Sequence, residues 1–244
     1  MRNIRLDICY DGTRYRGWQR LANSDNTIQE KLERALSRIL DETIEITGSG
    51  RTDAGTHAVG QVANFHCNSS MPADTILQQL RKYLPEDIGI YSCREVSPRF
   101  HARLNAKAKT YRYRLWNSTD PCVFERRYVT ILEDRLDLPA MRTAAEYLIG
   151  EHDFSAFCAN AKMKKSTVRS IEALEIAQIG SEIQMTVTGD GFLHGMVRII
   201  VGTLIEVGRG ERDLRQISTL FGQKREAAGF MAPPEGLALM EVFY

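Results

Sequence analysis

Thr47-Gly48-Ser49-Gly50-Arg51-Thr52-Asp53-Ala54-Gly55-Thr56-His57-Ala58-Val59-Gly60-Gln61 lies between two short runs of strand character. Thr43-Ile44-Glu45-Ile46 precedes it and Val62-Ala63-Asn64-Phe65-His66 follows it. Apolar and polar residues alternate in each run, so the quoted stretch reads as a loop joining two half-buried strands. Its glycines open left-handed conformations and allow a ligand to approach the backbone closely. A flexible linker would carry Gly and Ser with little else. Here the glycines frame Arg51, Asp53 and His57, groups able to bind an anion, attack an electrophile and shuttle a proton. Thr52 and Thr56 can bond the local backbone and hold the turn in one shape. Neither G-x-G-x-x-G nor G-x-x-x-x-G-K-[ST] is present, and a strand follows. No helix N-terminus therefore waits for a phosphate.

Upstream, Ile4 to Tyr10 alternates as a strand and Asp11-Gly12-Thr13 ends it. Arg14-Tyr15-Arg16-Gly17-Trp18-Gln19-Arg20 is either a solvated loop with its Trp in the core or an RNA-facing surface. In the second case the aromatics stack and Arg14, Arg16 and Arg20 meet phosphates. Asn26 or Asp25 can cap a helix over about 27–40, with Ile28, Leu32, Ala35, Leu36 and Leu40 as its apolar stripe. Downstream, a helix opens at Pro72-Ala73-Asp74 and ends at Pro85, with Ile76, Leu77, Leu80 and Leu84 inward. Ile88 to Cys93 is a further strand. Residues 1–100 thus read strand, helix, two strands, helix, strand.

From Val96 to Asn117 there is no acidic residue, while Arg99, Arg103, Lys107, Lys109, Arg112 and Arg114 all fall there. On a strand, Tyr111, Tyr113 and Leu115 point one way and Arg112 and Arg114 the other. That pattern suits a charge-guarded edge strand or an anionic partner. Beyond it, a helix opens at Asp137-Leu138-Pro139 and closes at Gly150, and Glu151 to Phe157 reads as a loop. A second acid-free cluster holds Lys162, Lys164, Lys165 and Arg169. Strands over about 169–179 and 182–189 flank a Gly180-Ser181 turn. Helices over about 192–207 and 213–221 and a strand from Leu237 to Phe243 complete the chain. The predicted class is α+β, in two halves, 1–100 and 101–244. Each mixes antiparallel strands with helices on one face, and no Pro- or Ser-rich linker separates them.

The 192–207 helix is apolar nearly all round and so should be buried, yet Arg198 sits in its middle without a carboxylate three or four residues away. A buried, unpaired arginine costs several kcal/mol, so a partner from elsewhere in the chain is expected unless the side chain snorkels to solvent. Asp53 is the candidate, and the pairing would keep it ionised as a nucleophile requires.

With 244 residues, 43% of them hydrophobic, the chain can bury one large core or two modest ones. Its net charge of +1 supports no nucleic-acid role by itself, so any such role rests on where the charge lies. Five scattered cysteines with no C-x-x-C point to reduced thiols and away from zinc. No run approaches a membrane span, and a cytoplasmic protein without metal is expected.

Gly50-Arg51-Thr52-Asp53-Ala54-Gly55 with His57-Ala58 resembles the signature of the TruA family of tRNA pseudouridine synthases. Other ordered blocks agree. They are Tyr10-Asp11-Gly12-Thr13 with Gly17-Trp18-Gln19, Phe100-His101-Ala102-Arg103, Lys109-Thr110-Tyr111-Arg112-Tyr113, His152-Asp153-Phe154, Thr167-Val168-Arg169, Met196-Val197-Arg198, Ala232-Pro233 and Gly236-Leu237. The resemblance implies two RRM-like (ferredoxin-like) halves joined in one antiparallel sheet with a central cleft. It implies a homodimer that needs no cofactor. The implied reaction turns uridine into pseudouridine in the tRNA anticodon stem-loop, at tRNA positions 38–40. It makes Asp53 the nucleophile, Arg51 the residue of base extrusion, Tyr111 the stacking partner of the uracil and Arg198 the partner of Asp53. Arg103, His57 and Leu237 are further candidates for the substrate, Leu237 as an apolar wall against water. Arg14, Arg16, Arg20, Lys107, Lys109, Lys164, Lys165 and Arg169 are candidates for RNA. The carboxylate could attack the uracil ring or the anomeric carbon, or help remove a sugar proton. Thr56 stands where Val is usual, and Leu104-Asn105-Ala106 departs from the usual pattern. A paralogue acting on another uridine or RNA, and a catalytically silent RNA-binding protein, are the alternatives.

Overall fold

The computed structural model describes residues 1–160, 163 and 165–244, so Lys162 and Lys164 of the second basic cluster lie outside the described residues. The chain forms two compact units, Met1–Lys107 with Ala238–Tyr244, and Ala108–Leu237.

In the first unit, strand β1 (Arg2–Tyr10) buries alternate residues and leads to helix α1 (Ile28–Leu40). Thr27, rather than Asn26 or Asp25, caps this helix, its hydroxyl accepting from the Glu30 N–H. The expected stripe is buried, and so is Glu33, at 4% exposure. Its carboxylate accepts from the Ile46 N–H at 3.0 Å and from Gln29 at 2.8 Å, and pairs with Arg20 at 3.0 Å. A buried charge so surrounded is satisfied, and it ties the helix to the strand that enters the Gly-rich loop.

That strand, β2 (Ile46–Gly48), and the next, β3 (His57–Cys67), pair antiparallel from Ile46↔Phe65 to Gly48↔Ala63. Both are shifted from expectation. The loop is therefore shorter than the sequence suggests, and His57 to Gln61 belong to a strand. Helix α2 (Ala73–Tyr83) and strand β4 (Ile88–Val96) follow, α2 burying Ile76 and Leu80. The strand order β4-β1-β3-β2 with two helices is the ferredoxin-like arrangement.

The second unit opens with β5 (Ala108–Trp116), whose Tyr111, Tyr113 and Leu115 are buried as the alternation required. A two-residue strand, β6 (Thr130–Ile131), lies parallel to it. Helix α3 (Leu138–Glu146) is capped by Asp137 and ends before the expected Ile149. Gly150, expected to close that helix, instead begins strand β7 (Gly150–Asp153), and a 3-10 turn covers Ser155–Phe157. The predicted loop over 151–157 is therefore corrected to these two elements. Glu151, His152 and Asp153 show little strand propensity, and the pairing with residues 168–171 makes the strand. β8 (Val168–Ile179) and β9 (Glu182–Gly189) form the expected hairpin, with Gly180 at φ 59° in its turn. β5-β9-β8-β7 are antiparallel neighbours.

Helix α4 (Met196–Gly208) starts four residues later than expected because Gly195, at φ 70°, holds the left-handed turn before it. Every residue in it but Glu206 is buried. A Cβ on Gly202 would overlap the Phe230 carbonyl. Gly202→Ala is therefore expected to lower stability by about 1–3 kcal/mol, the usual cost of overpacking, read as a lower denaturant midpoint at unchanged slope. The expected short helix over 213–221 is a 3-10 segment, Leu214–Thr219.

The last strand, β10 (Leu237–Phe243), returns to the first unit and runs parallel to the start of β3, Ala238 beside His57 and Leu239 beside Ala58. Of the strand pairs described above, β10–β3 and β5–β6 are parallel and the others antiparallel. Among the described residues, no helix is long and apolar enough to cross a membrane.

Candidate active site

The loop Ser49–Thr56 is held on both sides. Ser49 donates its N–H to the Val62 carbonyl at 2.7 Å, and the Thr56 N–H closes a turn on the Asp53 carbonyl at 3.1 Å, with Gly55 at φ 78° inside that turn. The 11–18 segment packs behind it. The Trp18 N–H donates to the Thr52 carbonyl and the Gly55 N–H to the Tyr15 carbonyl. Gly17, at φ 90°, lies so close that a Cβ there would sit 2.6 Å from the Thr52 oxygen, and Gly12 is pressed against the Thr56 carbonyl. These glycines serve close backbone approach, as the sequence suggested for the loop's own.

This fixed frame leaves Asp53 half-buried and Arg51 exposed. A carboxylate on a rigid turn, two residues from an exposed planar cation, can attack an electrophile while the cation meets an anionic group. His57 is buried at the start of β3, and its Nδ1 accepts from the Gly12 N–H at 3.0 Å. The same nitrogen lies 3.2 Å from Asp11 Oδ1, a contact that would need a proton on Nδ1. His57 thus braces the 11–18 segment.

Tyr15 and Trp18 are 6% and 2% exposed, so of the two readings of this segment the one with its Trp in the core holds, and neither ring is free to stack on an RNA base. They fill the space behind the loop, the Trp18 indole so near Gly48 that a Cβ there would be 2.6 Å away. Arg14 and Arg16 do face solvent, whereas Arg20 is spent partly on Glu33. The basic stripe is also partly neutralised. Arg114 pairs with Glu182 at 2.7 Å and with Glu125 at 3.0 Å, and holds the Glu182 carboxyl below the usual carboxylate range. Neither partner is near Arg114 in sequence. Arg103 and Lys107 are exposed, Lys109 is half-buried, Lys165 is exposed and Arg169 is half-buried.

Arg103 sits on a loop pinned by residues the sequence analysis missed. Asn3 donates to the Ser97 and Phe100 carbonyls at 2.9 and 2.8 Å, and Asn64 accepts from the Ala102 N–H at 2.8 Å while donating to Asn3. The signal was available. Asn3 and Asn64 are polar residues within strands, and both are buried.

In the second unit, Tyr111 is 7% exposed and meets Phe192 edge-on, centroids 5.1 Å apart. Arg198 is 9% exposed, so it does not snorkel. Its Nε donates to the Ala232 carbonyl at 2.6 Å, and the Ala232 N–H donates back to the Arg198 carbonyl at 3.0 Å. This reciprocal pair fixes the guanidinium's direction. Leu237 is buried, one residue before the strand partner of His57. Among the described residues, no group of three or more His, Cys, Asp or Glu could hold a metal ion.

A family model described as tRNA pseudouridine synthase matches residues 8–105 and 144–244 of this chain. A protein named tRNA pseudouridine synthase A 2, from Bacillus cereus, is 45% identical over 243 residues, covering 99% of each chain. One named tRNA pseudouridine synthase A, from Bacillus sp. (strain KSM-64), is 48% identical over 241 residues and 98% of each. Another of that name, from Acetivibrio thermocellus, is 44% identical over 245 residues and the whole of both.

Proposed function

Because this chain belongs to the tRNA pseudouridine synthase family, and so is an isomerase that makes pseudouridine in tRNA, we propose that its target uridine lies in the anticodon stem-loop and that Asp53 is its nucleophile. The observation that carries the assignment is the clamped Ser49–Thr56 loop, which holds half-buried Asp53 two residues after exposed Arg51. Isomerisation conserves every atom. The C1′–N1 bond breaks, the uracil turns, a C1′–C5 bond forms, and the proton lost at C5 is balanced by one gained at N1.

A uridine in a stem has to leave the helix first, and Arg51, exposed on the loop, fills the gap it leaves. Tyr111, its ring direction set by Phe192, bears on the extruded base, and Leu237 excludes the water that would trap the detached uracil. Arg198, directed by Ala232, is the cation proposed to pair with Asp53. Arg14, Arg16, Arg103, Lys107 and Lys165, all exposed, meet the tRNA backbone, with Lys109 and Arg169 half-buried beside them in sequence. The family reading further implies a homodimer acting in the cytoplasm.

Unmodified tRNA incubated with the protein, then mapped for pseudouridine nucleotide by nucleotide, tests the reading. Conversion confined to the anticodon stem-loop is expected. Product at a site elsewhere would replace the target with another uridine, and no product from an RNA-binding protein would leave the silent alternative.

A further inference from the structure

We infer that Tyr10 and Gln61 are positioning residues for the reaction, holding Asp53 in place through Thr52. The inference rests on Asp53 being the nucleophile and adds what fixes it. Gln61 is wholly buried. Its Oε1 accepts from the Ser49 hydroxyl at 2.6 Å, and its Nε2 donates to the Gly50 carbonyl at 3.1 Å and reaches the Tyr10 hydroxyl at 3.5 Å. The Tyr10 oxygen lies 2.8 Å from Thr52 Oγ1. One carboxamide thus grips two consecutive residues where the loop leaves β2, and one phenol grips Thr52, the residue next to Asp53.

Either hydroxyl of the Tyr10–Thr52 pair can be the donor, and the Gln61 amide reaches the same phenol oxygen. Burial pushes the Tyr10 hydroxyl up to about 12, so it keeps its proton throughout the neutral range. With the Thr52 carbonyl already taken by the Trp18 N–H, both the side chain and the backbone of Thr52 are fixed. A cluster serving stability alone would gain little over Phe and Val in the same space, since replacing both partners of a buried hydrogen bond by apolar groups is close to neutral. What the polar set adds is one definite loop conformation.

The test compares wild type, Tyr10→Phe, Thr52→Val, the double variant and Thr52→Ser, with kcat and KM for pseudouridine formation and thermal midpoints measured on each. Tyr10→Phe and Thr52→Val are each expected to lower kcat about ten- to a hundredfold at unchanged KM, the scale of a small misplacement of a reacting group. The double variant should be no worse than the poorer single one, as for residues acting as a unit. Thr52→Ser, which keeps the hydroxyl, should restore kcat. Wild-type kcat in both single variants, a loss in KM alone, or losses that multiply in the double variant would overturn the inference. If Tyr10→Phe does not fold, the contrast of Thr52→Val with Thr52→Ser decides. An inactive wild type, or an active Asp53→Ala, refutes the nucleophile reading instead, so the two failures are told apart.

Discussion

Asp53→Ala is expected to abolish pseudouridine formation, with kcat falling by about 10⁴-fold or more, while binding of unmodified tRNA stays near that of the wild type. The size follows from removing the proposed nucleophile, a loss that the remaining binding contacts cannot make up. Binding is spared because affinity for RNA is spread over phosphate contacts, and Asp53 is an anion that makes none. Asp53→Asn is the sharper variant. It keeps the shape and the hydrogen-bonding reach of the side chain on the clamped loop and removes only its nucleophilicity. Nucleoside analysis of digested tRNA gives the rate, and a gel-shift titration gives the affinity. Equal product from wild type and Asp53→Ala would end the assignment.

The second large effect is expected at Arg198. Arg198→Met fits a helix that is buried almost throughout, and exchange of a buried charge for an apolar side chain of similar length is tolerated when no opposite charge is stranded. Here the Ala232 carbonyl loses its donor, and Asp53, on the proposed pairing, loses its cation. The expected result is a fall in kcat of about 10²–10³-fold, the scale seen when one preorganised electrostatic partner is removed, with a much smaller change in thermal midpoint. Arg198→Lys should recover only part of the rate. An ammonium carries the charge but cannot bond Ala232 and a carboxylate together from one planar fork. Wild-type kcat in Arg198→Met would remove Arg198 from the mechanism.

What the sequence made legible was local. The order of elements in residues 1–100, the stripe of α1 and the β8–β9 hairpin all follow from short-range patterns and turn chemistry. The Gly-rich loop was recognised but drawn too long, because Ala58, Val59 and Gly60 show no alternation to mark where β3 begins. β7 was missed because its residues are polar and only the neighbouring strand makes them extended. Ion pairs such as Arg114 with Glu182, 68 residues apart, leave no local trace, so the basic stripe looked more one-sided than it is. Tyr15 and Trp18 could be read as core or as RNA contacts because aromatic residues among arginines have the same composition whether their rings face outward or inward. Asn64 was overlooked for the opposite reason. Polar residues inside a strand suggest a solvent face until burial shows that they hold loops in place.

The return of β10 has a consequence for biogenesis. On the ribosome, β3 lacks its parallel neighbour until Ala238 and Leu239 have emerged, after all of Ala108–Leu237 has been made. At roughly 5–20 residues per second, that wait lasts on the order of ten seconds. The strand that begins right after the clamped loop is therefore completed among the last, so a nascent chain carries Asp53 long before the surroundings of that residue are finished.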